Sequence, residues 1–465
     1  MNFATIEFLC FFTVVALVYR SVPLAWWRGR KLVLLAASFA FYATWSAPFT
    51  LLLLYSILLD YNIGLRIPDS SGARRQLLVL ASLVGNLGIL AFFKYGGFFY
   101  DNALSTDLIT RSPAITAFFT DLVLPLGISF YTFQSLSYTI DVHRGDREPI
   151  RDFVDFALYV SFFPQLVAGP IMRAGEFLPQ LRYASPFRVE QFNAGFARFG
   201  TGLAKKVVFA DSLALFADPV FAAPAQHSPI SLVLALYAYT FQIYFDFSGY
   251  TDMAIGLAKM LGFELVPNFN FPYLAASITD FWRRWHMTLS QWLRDYLFIP
   301  LGGSRGSRLK TYRNLSVTML LGGLWHGASW NFVLWGGFHG CLLAVERAFG
   351  WREPPTSAAR RGVRIFLTFH LVVIGWFFFR ISTRAIAEEF ITALSGPWSA
   401  PTPDELWLTA LVAVSFSLHV ADSGWKLREG FERSSSLIQG LAVGVVVILM
   451  FNLRGLHQAF IYFQF

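Results

Sequence analysis

Charge is scarce in this chain. Asp, Glu, Lys and Arg make up 14% of its 465 residues, where a soluble domain carries about 25%. A fold of this size could not cover a water-facing surface with so few charges, and a soluble globular protein is excluded. Cysteine is nearly absent: Cys10 and Cys341 both lie in apolar runs, which rules out a disulfide framework and a thiolate metal cluster. Nor is there a P-loop, GxGxxG, HExxH, CxxC or GxSxG pattern in a usable context, which weighs against a nucleotide-driven pump, a metalloprotease and a serine hydrolase. Internal repeats, low-complexity tracts and long linkers are missing as well.

Apolar and aromatic residues are abundant. The chain is 55% hydrophobic, with 50 Phe, 14 Trp and 18 Tyr, the composition of an integral membrane protein rich in interfacial aromatic rings. The formal charge of +8 is read as basic loops meeting anionic lipid, not as a nucleic-acid footprint. A span takes roughly 20 mostly apolar residues. Candidate spans fall near 3–19, 32–46, 48–65, 76–93, 113–134, 194–217, 230–247, 314–328, 329–348, 363–380, 405–422 and 436–452. The first has no basic segment before it and no small-residue cleavage site after it, and reads as a retained helix. Stretches 153–180 and 248–300 are too broken by Pro and Gly to be simple spans, and irregular backbone at membrane depth survives only inside protein or beside a cavity. Basic clusters such as Arg28-Gly-Arg30-Lys31 and Arg305 to Arg313 mark cytoplasmic loops. The expectation is an all-α, polytopic bundle covering 1–465 as one domain, with re-entrant or interfacial segments around a funnel.

Three segments carry chemistry. In Asp280-Phe-Trp-Arg-Arg-Trp-His-Met-Thr-Leu-Ser-Gln-Trp-Leu-Arg-Asp-Tyr296, a helical period of 100° per residue places Trp282, Trp285, Leu289, Trp292, Leu293 and Tyr296 on one face. Arg283, His286, Ser290 and Arg294 form a stripe on the other. An ordinary amphipathic surface helix has the same pattern, but a histidine among guanidinium groups suits an anionic cofactor. The second segment runs from Asn314 to Trp330. If it is helical from Arg313, His326 lies 13 residues on, about 20 Å at 1.5 Å per residue, past the middle of the hydrocarbon. An ionisable ring there needs a cavity or a hydrogen-bond partner, and Gly322, Gly323 and Gly327 would let a ligand or backbone approach. A helix-packing histidine is the bland alternative, and the one preferred for His370 and His419; His339 is intermediate.

The third segment is Tyr244-Phe-Asp-Phe-Ser-Gly-Tyr-Thr-Asp252. Asp246 and Asp252 at membrane depth need partners, with the Arg283/Arg284 region as one choice. Each reads first as a structural polar group, and a proton or ion relay in a proton-coupled transporter remains an alternative, weakened by the missing inverted repeat. A non-catalytic platform for a secretion complex is a further one. No cluster suggests a metal.

Phe163-Pro-Gln-Leu-Val-Ala-Gly-Pro170, Tyr244 to Tyr250, Phe281-Trp-Arg-Arg-Trp-His286, Leu324-Trp-His-Gly-Ala328 and the terminal Phe460-Ile-Tyr-Phe-Gln-Phe465 resemble the membrane-bound O-acyltransferase family, most of all its bacterial alginate O-acetyltransferase branch. The resemblance implies a helical bundle with funnels on both faces and a histidine at the tunnel between them, in a bacterial inner membrane. His326 matches the catalytic histidine and His286 the second histidine of the bacterial branch. Arg283, Arg284, Trp285, Ser290, Arg294 and Trp325 would contact the donor, acetyl-CoA, with Arg283 and Arg284 on its phosphates. His326 would act as general base and His286 would orient the thioester or donate to the oxyanion. The resemblance further implies a periplasmic partner with an SGNH-hydrolase-like fold that passes acetyl to alginate, with cellulose or peptidoglycan acetylation or D-alanyl transfer to teichoic acid as alternatives. No cofactor is held permanently.

Overall fold

The computed structural model describes all residues except 107–108, 111, 185, 354, 453–459 and 462–465. Among the described residues every regular element is helical. The chain divides into two compact units, residues 1–192 with 257–266 and residues 193–256 with 267–465.

The first unit holds α1 (Ile6–Ser21), α2 (Trp27–Ala43), α3 (Thr50–Arg66), α4 (Gly72–Ser105), α5 (Pro113–Thr120), α6 (Ile128–Arg144), α7 (Phe153–Ser161) and the single turns α8 (Phe163–Leu166) and α9 (Ala174–Phe177). The expected span 113–134 is therefore two helices, broken at 121–127 where Gly127 takes a left-handed φ of 72°. α6 is buried along nearly its whole length despite its Ser, Thr and Gln residues. Burial is tolerable because the polar groups satisfy each other. Asp60 of α3 accepts from Ser82 Oγ (2.5 Å) and Asn86 Nδ2 (2.8 Å) of α4 and from Thr139 Oγ1 (3.1 Å) and Ser135 Oγ of α6. The broken segment near Pro164 packs Phe163 against Phe8 and Phe41, with ring centroids 6.4 and 5.9 Å apart.

The second unit begins with α10 (Val189–Ala204), whose first residues belong to the first unit, and continues through a π-helical turn at Lys205–Ala210 into α11 (Asp211–Ala222). The long α12 (Pro229–Met260) follows, its last residues, from Leu257, belonging to the first unit. Gly249 and Gly256 were expected to interrupt the chain; they lie inside this helix, and the break starts after Met260. There the backbone runs irregularly through Pro267 and Pro272 to α13 (Ile278–Trp282) and α14 (Met287–Leu293). α15 (Arg308–His326) and α16 (Trp330–Ala348) form a tight hairpin. A Cβ on Gly323 would stand 2.1 Å from Phe332 O, and one on Gly336 2.3 Å from Met319 O, so only glycine permits this approach. α17 (Ala358–Arg380), α18 (Arg384–Leu394), α19 (Pro403–Trp425), α20 (Leu427–Glu432) and α21 (Ser436–Asn452) complete the unit.

Among the described residues α4, α12, α17 and α19 are long and apolar enough to cross a membrane, and α21 is a shorter apolar helix. α4, α17, α19 and α21 expose rows of large side chains, such as Leu77, Leu80 and Val84 or Leu441, Val445 and Ile448. Water would oppose such rows, whereas lipid can cover them, because the amides along the middle of a helix bond within it and leave no backbone group unsatisfied there.

Candidate active site

The segment expected as one amphipathic helix over 280–296 is three pieces. α13 ends at Trp282, residues 283–286 turn, and α14 is followed by a π-helical turn at Arg294–Phe298. His286 sits at the junction in a left-handed conformation (φ 41°, ψ 55°). That kink takes the ring off the polar stripe and buries it completely. A period of 3.6 holds only while the helix is continuous, which is why the projected faces fail here.

Asn268 holds the kink. Its Oδ1 accepts from Thr288 N (3.1 Å) and Thr288 Oγ1 (2.9 Å) and lies 3.2 Å from His286 Nδ1, while its carbonyl accepts from Met287 N (2.9 Å). Only an oxygen accepts from the Thr288 amide, so the orientation of the Asn268 amide is settled by the network. The ring proton of a neutral His286 then resides on Nδ1, which donates to Asn268, and Nε2 carries the lone pair. Glu346 of α16 plays the matching part at the start of α13, accepting from Thr279 N (2.9 Å) and Thr279 Oγ1 (3.0 Å) and from Ile278 N.

His326 is the last residue of α15 and is followed by extended backbone at Gly327. The residue is 4% exposed, and its ring is boxed by Trp325, Trp335 and Phe379 at centroid distances of 5.1, 5.0 and 5.2 Å. One side faces a cavity of about 360 Å³ that also touches Arg283, Ser290 and Arg294. Trp282, Leu289, Met319 and Trp335 supply apolar wall, and Gly322 keeps the space clear. A slender apolar chain ending in a reactive carbonyl fits such a shape, with guanidinium groups for an anionic head.

Arg283 is exposed and, among the described residues, makes no ion pair; Arg294 is held by Asp295 at 2.6 Å. Arg284 does not line the cavity and pairs with Asp280 at 2.8 Å. Trp285 is in the packed core, with its ring 4.8 Å from Trp376 and 5.0 Å from Phe269. Trp325 stands between the two histidines, 5.8 Å from the His286 ring. The cavity thus gathers His326, Arg283, Ser290 and Arg294, and leaves His286, Arg284, Trp285 and Trp325 behind its wall.

Asp246 and Asp252 do not meet the Arg283/Arg284 region. Asp246 accepts from Ile461 N (2.6 Å) and pairs with Lys206 (2.8 Å), and Asp252 pairs with Arg198 (2.7 Å) and Lys205 (2.6 Å). The cations come from α10 and its π-helical turn, 40 to 54 residues upstream, a distance no local pattern reveals. Each carboxylate has a cation within hydrogen-bond reach, and Asp246 shares its Lys206 with Asp211 at 2.8 Å. His370 bonds the Phe366 carbonyl at 2.7 Å, the arrangement of a packing histidine. Of the terminal segment only Phe460 and Ile461 lie within the described residues; Phe460 packs on Tyr250 at 4.6 Å.

Sequence reading missed Asn268, Glu346, and the cations Arg198, Lys205 and Lys206. Glu346 had left a signal, since a carboxylate in an apolar helix needs a partner. Asn268 had none beyond its place among prolines. Among the described residues no group of three His, Cys, Asp or Glu side chains is arranged to hold a metal.

The sequence model of the membrane-bound O-acyltransferase family matches residues 150–384, which span the broken first segment, both histidines and the α15–α16 hairpin. The chain is 45% identical to the probable alginate O-acetylase AlgI of Pseudomonas aeruginosa, over 83% of this chain and 74% of that protein. It is 38% identical to the peptidoglycan O-acetyltransferase of Helicobacter pylori, over 85% and 78%. The teichoic acid D-alanyltransferase of Bacillus subtilis is 27% identical over 56% of this chain and 69% of its own length. By the family match and the extent of these likenesses, this chain belongs to the membrane-bound O-acyltransferase family.

Proposed function

We propose that the chain carries an acetyl group from acetyl-CoA on the cytoplasmic side of a bacterial inner membrane toward an extracytoplasmic hydroxyl, for O-acetylation of a cell-surface polysaccharide such as alginate. The observation that carries this reading is the cavity joining Arg283 and Arg294 to His326. Coenzyme A is polyanionic and cannot cross a bilayer, but its thioester arm is narrow. The guanidinium groups hold phosphate while the arm follows the apolar wall to the imidazole.

His326 takes the proton of the acceptor hydroxyl as the oxygen attacks the thioester carbonyl. The tetrahedral oxyanion collapses, the C–S bond breaks, and the proton held by the imidazole passes to the departing thiolate. General base assistance of this kind is worth about 10²–10⁴-fold. His286, with Nδ1–H given to Asn268 and its ring against Trp325, acts from behind the cavity wall as a positioning residue rather than donating to the oxyanion. The acceptor is a periplasmic partner of SGNH-hydrolase-like type that modifies the polymer. The 38% likeness to a peptidoglycan O-acetyltransferase makes peptidoglycan the second choice of polymer.

Purified protein with [¹⁴C]acetyl-CoA and a hydroxyl acceptor tests the reading. His326→Ala is expected to lose at least 100-fold in turnover at unchanged folding. Near-normal turnover in that variant would overturn the assignment.

A further inference from the structure

A second basic cavity lies in the first unit and shares no lining residue with the cavity at His326. It has a volume of about 240 Å³ and is lined by Arg20, Arg30, Arg188 and Lys259, with Tyr19 and Phe187 among its apolar walls. No carboxylate lines it. Glu190, in the adjoining turn, does not reach the cavity, and the nearby Glu264 receives the Gln191 amide at 3.5 Å.

Arg20 and Arg30 are held in place by neutral groups. Arg20 Nη2 donates to Met260 O (2.7 Å), and its guanidinium lies 3.7 Å from the Phe187 ring centroid. Arg30 Nε donates to Val22 O (2.8 Å) and its Nη2 to Arg20 O (3.3 Å). Among the described residues neither Arg20, Arg30 nor Arg188 makes an ion pair with a carboxylate. Like charges braced side by side by carbonyls and an aromatic face repel, and they gain most from a shared anion. Arg188 immediately precedes α10, a 16-residue helix whose first-turn amides and positive dipole end add to the same field.

We propose that this cavity is a binding site for a phosphate group, carried by an anionic phospholipid headgroup or by a small soluble phosphate compound. The volume falls just below the about 300–1,000 Å³ of sites for drug-sized ligands, the scale of a headgroup and too small for a whole nucleotide cofactor. The site follows the C-terminal end of the apolar helix α1 and adjoins the Arg28–Lys31 cluster, at the face that Lys and Arg mark as cytoplasmic. Anionic headgroups gather on that leaflet.

Purified protein in neutral detergent is titrated with dihexanoyl-phosphatidylglycerol, dihexanoyl-phosphatidylcholine or sodium pyrophosphate, and binding is read as native mass and as the rise in unfolding midpoint. Saturable binding of phosphatidylglycerol but not phosphatidylcholine assigns the lipid source, and saturable binding of pyrophosphate assigns a soluble one. Either should weaken about fivefold in Arg188→Gln, at roughly 1 kcal/mol per basic group near the surface, and further in Arg188→Glu. Arg188 is exposed, so these variants fold even if Arg20→Gln, which loses a backbone brace, does not. Absence of saturable binding for both anions, saturable binding of phosphatidylcholine as tight as that of phosphatidylglycerol, or affinities unchanged in Arg188→Glu would overturn the proposal. Acetyl transfer is not the readout, so the outcome stands apart from that of the transferase assay.

Discussion

Replacing Asn268 with Ala removes one oxygen that serves three donors: His286 Nδ1 at 3.2 Å, Thr288 N at 3.1 Å and Thr288 Oγ1 at 2.9 Å. Asn268, His286 and Thr288 are all buried, so the Thr288 amide is left without an acceptor, at a cost of about 1–3 kcal/mol. Adding the two other bonds at about 0.5–1.5 kcal/mol each gives a stability loss of roughly 2–6 kcal/mol. The larger consequence is for the ring. Without its acceptor, His286 no longer favours the Nδ1–H tautomer, and the left-handed turn that places it loses its tie. His286 backs the cavity wall through Trp325, and a shift of about 1 Å passed to the reacting groups costs on the order of 10²-fold, so kcat for acetyl transfer should fall 10- to 100-fold with little change in donor KM. Asn268→Asp keeps an acceptor oxygen and should recover most of kcat while changing its pH profile, because a carboxylate beside the imidazole favours the protonated ring. Thr288→Val removes one bond and leaves the histidine's partner, so it serves as the control, within about threefold of wild type. Stopped-time assays with labelled acetyl-CoA on protein checked by size exclusion and thermal melting decide the matter. A folded Asn268→Ala enzyme with kcat within threefold of wild type would refute the claim that Asn268 positions His286.

Three other outcomes are expected. Gly322→Leu projects a side chain into the cavity beside His326, and should abolish transfer while leaving the melting temperature within a few degrees; Gly322→Ala, whose Cβ meets only the Leu293 side-chain tip at 3.1 Å, should stay active. Arg283→Gln should raise the KM for acetyl-CoA about fivefold, the loss of about 1 kcal/mol from one exposed charge contact, with kcat unchanged; an unaltered KM would remove Arg283 from the donor site. Asp60→Ala leaves the donors of Ser82, Asn86, Ser135 and Thr139 without their shared acceptor and should destabilise the first unit by at least about 3 kcal/mol, seen as loss of folded protein after detergent extraction; normal yield and melting would show that the cluster is dispensable.

The amino-acid sequence alone settled that this is a helical membrane protein, because composition and long apolar runs report directly on the solvent a chain must face. It also marked the apolar run that becomes α15 and its His326, where a continuous apolar segment and the glycines Gly322, Gly323 and Gly327 carry the information locally. Tertiary structure decided the rest. The kink at His286 breaks the period on which face projection depends, so the ring that should have been wet is buried on Asn268. The partners of Asp246 and Asp252 come from another helix, and Trp285 belongs to an aromatic core rather than to the cavity. Pairing between distant segments depends on how helices cross, and crossing angles are set by the packing of many side chains at once. A hydrophobic period reports which side of a helix is buried, but not what it is buried against.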